Sequence, residues 1–453
     1  MGNVPQLNTD ETLLVPPAAG NGIGPMNGWL RSAVSTLPAA SRLMQISYGF
    51  ADQALAVGGT FLANVVLART QTKEEYGMFV LSYSVFAFLV GLYQAAMLEP
   101  YTIYGAGRYR GRFSEYLRLM ARTNAVICLL LTGTLLLTCL LLSRVAPELM
   151  SRALFGLGLA AGVLLSGHFL RRVFYLQRQP AFAAKTSLVA FVTVACGLWL
   201  TAKTHRLDSL SVFLILALGW ITAGAAFGRR LQFGRPEQPF LEFEPQYWRE
   251  HWRYSKWVLA TAFVLQVTTQ GYYWLVAGFL SAKEVGELRA TYNLVGPVDQ
   301  IFIALSLVVL PALASHYASN RMDKLLSLWR RYAIFNIAVM ALFILGVRFM
   351  GKPALHALYA GRFDYLAPLL LKLALYQLVM GIAITMVQAL NALERPKLVF
   401  YAFASSGTAT FMIGIPLVKY FGLPGAVYGM VLSGTTFTIA LAIGFVSSLK
   451  GKA

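Results

Sequence analysis

The sequence predicts an all-α polytopic membrane protein of about twelve transmembrane helices, in two parallel six-helix repeats, with both termini cytoplasmic. Three observations carry this expectation: apolar blocks of bilayer length, a one-sided distribution of positive charge, and an internal echo. The 453 residues are 57% hydrophobic and 13% charged, whereas a soluble globular protein carries about 25% charged residues. Uncharged blocks such as LVAFVTVACGLWLTA (188–202) and VFLILALGWITAGAAFG (212–228) recur along the chain. Roughly 20 such residues cross a hydrocarbon core of about 30 Å.

Residues 1–42 are rich in Pro, Gly and Asn and lack a periodic apolar face, which reads as a disordered cytoplasmic tail. They have neither the basic start nor the apolar core of a signal peptide. Twelve spans follow, at about 44–68, 77–98, 119–142, 152–175, 186–202, 208–228, 256–280, 294–316, 332–350, 366–390, 398–418 and 423–446. They group into an N-terminal six-helix bundle (43–232) and a C-terminal one (256–447), with a short cytoplasmic tail at 448–453. The linker between them, 233–255, carries three prolines and acidic residues in its first part and ends with Trp248 and Trp252 beside Arg249 and Arg253. That ending reads as an interfacial helix or an aromatic anchor for the seventh span.

Charge sets the orientation. With the N-terminus inside, the cytoplasmic segments hold 25 of the 38 lysines and arginines, the opposite side holds 12, and Lys372 lies within a span. Cytoplasmic loops collect positive charge, so both termini are expected inside. The same rule accounts for the net charge of +19 without a nucleic-acid partner. Cys128, Cys139 and Cys196 all lie in apolar runs and read as reduced packing residues. No metal-ligand spacing and no cofactor motif is present, so no metal and no cofactor is expected.

The echo begins at RTQTKEEYGMF (69–79), an outer turn between the first two spans. A shift of 209 residues lays Glu75 on Glu284, Gly77 on Gly286 and Tyr83 on Tyr292, so that SAKEVGEL (281–288) is the corresponding turn. The same shift lays GRFSEYLRLMAR (111–122) over NRMDKLLSLWRR (320–331), and a shift of 216 sets RQP (178–180) on ERP (394–396). Three ordered matches at a nearly constant offset indicate a repeat. Each unit has an even number of spans, so both start from the same side, as in parallel transporter repeats.

Leu67-Ala68-Arg69 with Glu75-Tyr76-Gly77, the two R/E-x-P turns and the paired six-helix halves together resemble the polysaccharide flippases. These are the O-antigen and exopolysaccharide translocases of the multidrug/oligosaccharidyl-lipid/polysaccharide exporter superfamily. The resemblance covers about residues 44 to 446. It implies alternating access that moves an undecaprenyl-diphosphate-linked oligosaccharide from the inner to the outer leaflet of a bacterial inner membrane. It further implies membrane lipids, a polysaccharide polymerase and assembly proteins as partners.

Such a substrate needs a wet cavity, cations for the diphosphate and a lateral opening for the lipid tail; arginine suits phosphate through its planar fork. Ionisable residues within spans usually face a cavity. The substrate-binding and transport residues expected on this basis are Asp52, Glu99, Arg122, Arg171, Arg172, Gln270, Asp299 and Lys372. Arg122, Arg171 and Arg172 lie near span ends, so snorkelling to inner-leaflet lipid is a competing reading. Asp52, Asp299 and Lys372 lie deeper, where the competitor is a buried ion pair.

Two other functions bear comparison. A cation-coupled drug exporter of the same superfamily would share the spans and the repeat but should present an acidic cavity; here the basic in-membrane candidates match or outnumber the acidic ones. A membrane-embedded polymerase or ligase should carry a large outer loop. The outer loops here are short, and Asp-x-Asp, Gly-x-Ser-x-Gly and His-Glu-x-x-His are all missing from the sequence. An enzyme is therefore not expected.

Overall fold

The computed structural model describes residues 39–106, 109–145, 147–231 and 245–450. Most of the expected N-terminal tail, the first part of the linker and the last three residues lie outside the described residues. The first six expected spans are helices α1 (Ala39–Thr70), α2 (Lys73–Tyr93) running into α3 (Glu99–Ala106), α4 (Phe113–Leu142), α5 (Glu148–Leu176), α6 (Pro180–Lys203) and α7 (Ser209–Phe227). The others are α8 (Pro245–Phe279), α9 (Ala282–Val295) with α10 (Val298–Ala318), α11 (Met322–Tyr359), α12 (Ala367–Ala392), α13 (Pro396–Met412) and α14 (Gly414–Lys450). We call the end where α1 turns into α2 the outer end, following the charge bias.

Nine helical segments among the described residues are long and apolar enough to cross a membrane. The other three expected spans fall on α8, on the pair α9–α10 and on α13 with the start of α14. Each departs from a simple apolar rod for a visible reason. The membrane part of α8 carries Gln266, Thr268, Thr269 and Gln270, α9–α10 is broken at Gly296-Pro297, and α13 has 17 residues. α14 holds a sharp turn at Gly422, whose φ of 62° suits glycine. The chain reverses there between the eleventh and twelfth expected spans.

Local rules set the helix ends. The Thr72 hydroxyl accepts from the Glu75 amide at 3.1 Å and starts α2, and Asp208 forms a capping box with Ser211 at α7. The two R/E-x-P turns fold alike. Arg178 and Glu394 sit at φ 58° and 59°, and the amides of Gln179 and Arg395 reach back to Phe174 O and Leu390 O at 2.8 and 2.9 Å. Pro180 and Pro396 then open α6 and α13, where a missing N–H is harmless.

Two expectations about segments change. The interfacial helix at the end of the linker is not a separate element, because α8 runs unbroken from Pro245 through Phe279. SAKEVGEL is not a turn either. Ser281 caps α9, whose residues Val285, Gly286, Glu287, Leu288, Ala290, Thr291, Asn293 and Val295 are buried. Its polarity hides it from hydropathy, since its side chains face protein rather than lipid.

Packing follows from small residues and apolar faces. α1 lies along α6, α5 packs between α4 and α7, and α6 packs on α7. In the second set α14 lies against α12 and α13, while α12 also holds α10 and α11. Gly162 lets α5 approach so closely that an added Cβ would stand 3.0 Å from the Cys128 carbonyl of α4. The helices that expose most apolar surface are α4 and α11, with Leu129, Leu130, Leu140, Leu342 and Phe349 each at least 66% exposed. Lipid is the solvent that such faces require. The two sets of helices meet chiefly where α2 packs on α9 and α8.

Candidate functional site

The two echoed segments touch each other. A Cβ on Gly77 would fall 1.6 Å from the Ala282 carbonyl oxygen, and one on Gly286 would fall 3.1 Å from Lys73 O. α2 and α9 thus cross backbone to backbone at the outer end, a contact that only glycine at position 77 permits. Glu75 is buried beside this crossing, and its carboxylate accepts from the Ser209 amide at 2.7 Å, at the start of α7. A carboxylate on a helix N-terminus is well placed there. The stretch read as a simple polar turn is therefore a built joint.

Beneath the crossing, hydrogen bonds tie the halves together. Asn293 of α9 donates to the hydroxyls of Tyr76 and Tyr359, each at 3.2 Å, and Tyr76 donates to Asn64 of α1 at 3.3 Å. Above it two arginines reach across reciprocally. Arg69 donates to the carbonyls of Ala357 and Leu358 at the end of α11, and Arg362 donates to those of Ala68 and Arg69 at the end of α1. Each guanidinium satisfies carbonyls that a helix C-terminus leaves open. Lys73 donates to the Tyr365 hydroxyl at 2.8 Å, and Tyr365 donates in turn to the buried Glu287. The outer end is closed.

Below the joint lies a cavity of about 40 Å³ lined by Asn64, Tyr83, Ser84, Gln270, Tyr273 and Arg289, from α1, α2, α8 and α9. That volume holds a few waters and no sugar ring. Gln270 is the one expected site residue on this lining. Arg289 donates to the Tyr273 hydroxyl at 3.4 Å, and the other groups acting on it include Tyr76 and Tyr83. Among the described residues no carboxylate forms an ion pair with it. Charge bookkeeping placed Arg289 in an outer loop; recognising that residues 282–295 form a buried helix would have found it.

The other expected residues occupy separate places. Asp52 is fully buried on α1. It takes a two-pronged contact from Arg171 of α5, with Nε to Oδ1 at 2.9 Å and Nη2 to Oδ2 at 2.7 Å. Tyr175 and Ser187 also donate to it, at 2.7 and 2.5 Å. This clamp joins α1 to α5 and α6 and leaves the Asp52 charge fully answered. Arg172 and Glu99 act electrostatically on one another near the inner end of the same set. Glu99 directly follows a π-helical turn, Gln94–Leu98. Arg122 is exposed on α4. Asp299 accepts from Tyr292 at 3.0 Å just past the α9–α10 break, with Gln377 reaching the Tyr292 hydroxyl at 3.5 Å. Lys372 lies against Tyr428 of α14, with Nζ 2.7 Å from the hydroxyl. Among the described residues it makes no hydrogen bond or ion pair with Asp299 or with the cavity lining.

The seam between α2/α3 and α8 is held along its length. Trp274 donates to Ser84 at 3.0 Å, Phe88 packs edge-on against Phe263 and Trp274, and the Gln266 side chain covers Gly91. Further in, Ser255 donates to Ala96 O at 3.1 Å, a carbonyl inside the π-helical turn. Tyr109 donates to Glu250 at 2.7 Å, and the Tyr116 hydroxyl meets His251 Nε2 at 2.8 Å. Burial pushes the His251 imidazole down to about 4, partly countered by Glu250, so it is neutral at neutral pH.

No family model and no curated protein matches the chain. Solved structures do. A multidrug resistance MATE family transporter of the MOP superfamily, in an inward-facing conformation, superposes with a TM-score of 0.73 at 10% identity, covering 88% of this chain and 94% of that one. The lipid II flippase MurJ in an inward closed conformation gives 0.66 at 15% identity, over 88% and 87% of the two chains. An outward-facing MATE family transporter of the MOP superfamily gives 0.59 at 12% identity, over 90% and 93%. The chain shares the fold of these membrane transporters.

Proposed function

We propose that this protein flips an undecaprenyl-diphosphate-linked oligosaccharide across a bacterial inner membrane by alternating access. In this reading the bodies that rock are the bundles 43–232 and 256–447, each of six spans, with both termini in the cytoplasm. The observation that carries the proposal is Arg289, a cation between the two sets of helices that pairs with tyrosines rather than a carboxylate. Asp52 occupies Arg171 and Glu99 acts on Arg172, so neither arginine offers a comparable unanswered charge. Arg289 is suited to a diphosphate, and Asn64, Gln270 and Tyr273 around it are suited to sugar hydroxyls.

Two further observations support the direction of access. The joint at Gly77 and Gly286 closes the outer end, and the chain resembles the inward-facing transporter more than the outward-facing one. The seam opposite α2–α8 is loose toward the inner end: α10 packs on α11 and α12 and, among the described residues, scarcely touches α1. Phe50, Gln53 and Val57 share an exposed face of α1. Such a gap would let a lipid tail stay in the bilayer while its head group enters the cavity.

A cation-coupled drug exporter is the second reading. It is favoured by the 0.73 TM-score to a multidrug transporter and by Asp299, an acid among Tyr292 and Gln377 in the second set of helices. Proteoliposomes separate the two. Leaflet transfer of an undecaprenyl-diphosphate oligosaccharide should fall at least tenfold in Arg289→Gln and recover in part in Arg289→Lys, which keeps charge but loses the fork. Full transfer by Arg289→Gln would remove the assignment of this residue. Export of cationic drugs with no movement of the lipid-linked sugar would establish the second reading.

A further inference from the structure

The first four turns of α8 have two contrasting faces. His251 and Ser255, 6% and 3% exposed, turn inward, His251 to Tyr116 of α4 and Ser255 to the Ala96 carbonyl in the π-helical turn between α2 and α3. On the other side Arg249, Trp252, Arg253, Lys256 and Trp257 are all exposed, the two tryptophans at 61% and 71%. Their spacing of three, four, seven and eight places them along one stripe of the helix. None of the three cations pairs with a carboxylate among the described residues. Glu250, the acid nearest in sequence, turns instead to Tyr109. The Lys256 ammonium lies 5.7 Å from the centre of the Trp257 ring.

We infer that this stripe binds anionic phospholipid of the cytoplasmic leaflet. The occupant follows from charge and depth. Three uncompensated cations call for an anion, and two tryptophans alternating with them call for the boundary between head groups and acyl chains. A soluble acidic partner would match the charge but would leave Trp252 and Trp257 in water. α8 continues without a break from Lys256 into its membrane part, so the stripe sits at head-group depth. Head groups held there press the helix onto α3 from outside, while His251 and Ser255 hold it from inside. Anionic lipid is thereby a structural ligand of the α2/α3–α8 seam.

Tryptophan quenching tests this on the full-length protein in phosphatidylcholine nanodiscs. Brominated phosphatidylglycerol is titrated in, with brominated phosphatidylcholine as the control, and the signal read is the part lost in Trp252→Phe/Trp257→Phe. Each cation near an anionic surface contributes about a fivefold gain in affinity, so Arg249→Gln/Arg253→Gln/Lys256→Gln should lose about a hundredfold of the preference for phosphatidylglycerol. The single variant Arg253→Gln should lose about fivefold and serves if the triple variant misassembles. Equal quenching of the wild type by both lipids, or an unchanged preference in the variants, overturns the inference.

Discussion

The two seams between the halves of this molecule differ. Along α2/α3–α8 a hydrogen bond or ring contact recurs from Trp274–Ser84 near the outer end to Tyr109–Glu250 at the inner end. Among the described residues, the hydrogen bonds from α1 to the second set of helices include those that Arg69 donates and those that Ala68 and Arg69 accept, all at its outer end, with Asn64 linked through Tyr76 to Asn293. Farther in, the polar side chain of α1 turns the other way, with Asp52 clamped by Arg171, Tyr175 and Ser187 of its own half. In the proposed transport cycle the first seam would serve as a hinge and the second as a door. The side chains along the first seam are aromatic and polar; on α1, Asp52 is bound to its own set of helices by a buried ion pair.

The contrast can be broken at four points, taken from the largest expected effect to the smallest. Asp52→Ala leaves Arg171 unpaired in a buried place, and breaking a buried pair costs about 3–5 kcal/mol. Thermal or denaturant unfolding in detergent should show that loss, and Asp52→Ala/Arg171→Ala should show less than the sum of the two singles. Equal stability of wild type and Asp52→Ala would mean that the clamp does not hold α1. Gly77→Ala places a methyl carbon on the Ala282 carbonyl and should open the outer joint. A cysteine at Asn64 should then be labelled by an impermeant maleimide from the outer side, and should stay protected with Gly77 intact. Protection in both would show that the crossing at Gly77 does not seal the outer end.

Two smaller effects sharpen the picture. Arg69→Gln and Arg362→Gln should each remove about 0.5–1 kcal/mol, the exposure of Arg69 and the partial exposure of Arg362 limiting a charged hydrogen bond to this range. Their double variant should be non-additive if the two guanidiniums act as one latch. Strict additivity would show two independent caps. The last effect concerns pH. His251 has a depressed folded value, so the stability it lends is fully present above its ordinary value near 6.5 and falls away as pH drops toward about 4. His251→Gln should flatten that slope in the acid unfolding curve. An unchanged slope would mean that other groups set it.

Much of the architecture is legible in composition alone because lipid demands apolar faces. α4, α5, α6 and α7 lie within a few residues of the expected spans, and Gly77, Gly286 and the R/E-x-P turns proved to be geometric features rather than coincidences of spelling. What escaped was the interior. α9 is a helix with buried Glu287, Thr291 and Asn293, so its polarity reads as a loop, and Arg289 reads as a loop residue with it. Asp52 and Arg171 stand out in the sequence as charges in or beside membrane spans, yet sequence cannot say that they meet each other. Lys372 and Asp299 show the opposite case, two deep charges that hydrogen-bond to different tyrosines.

Photocrosslinking tests the central claim most directly. A benzophenone amino acid is placed at Phe50 on the α1 side and, for comparison, at Phe263 on the α8 side, both of them exposed apolar positions. Cells making a radiolabelled lipid-linked oligosaccharide are then irradiated. A door along α1 and a hinge along α8 predict capture of the labelled lipid from position 50 and none from position 263. Capture from position 263 alone, or equal capture from both, would contradict the account.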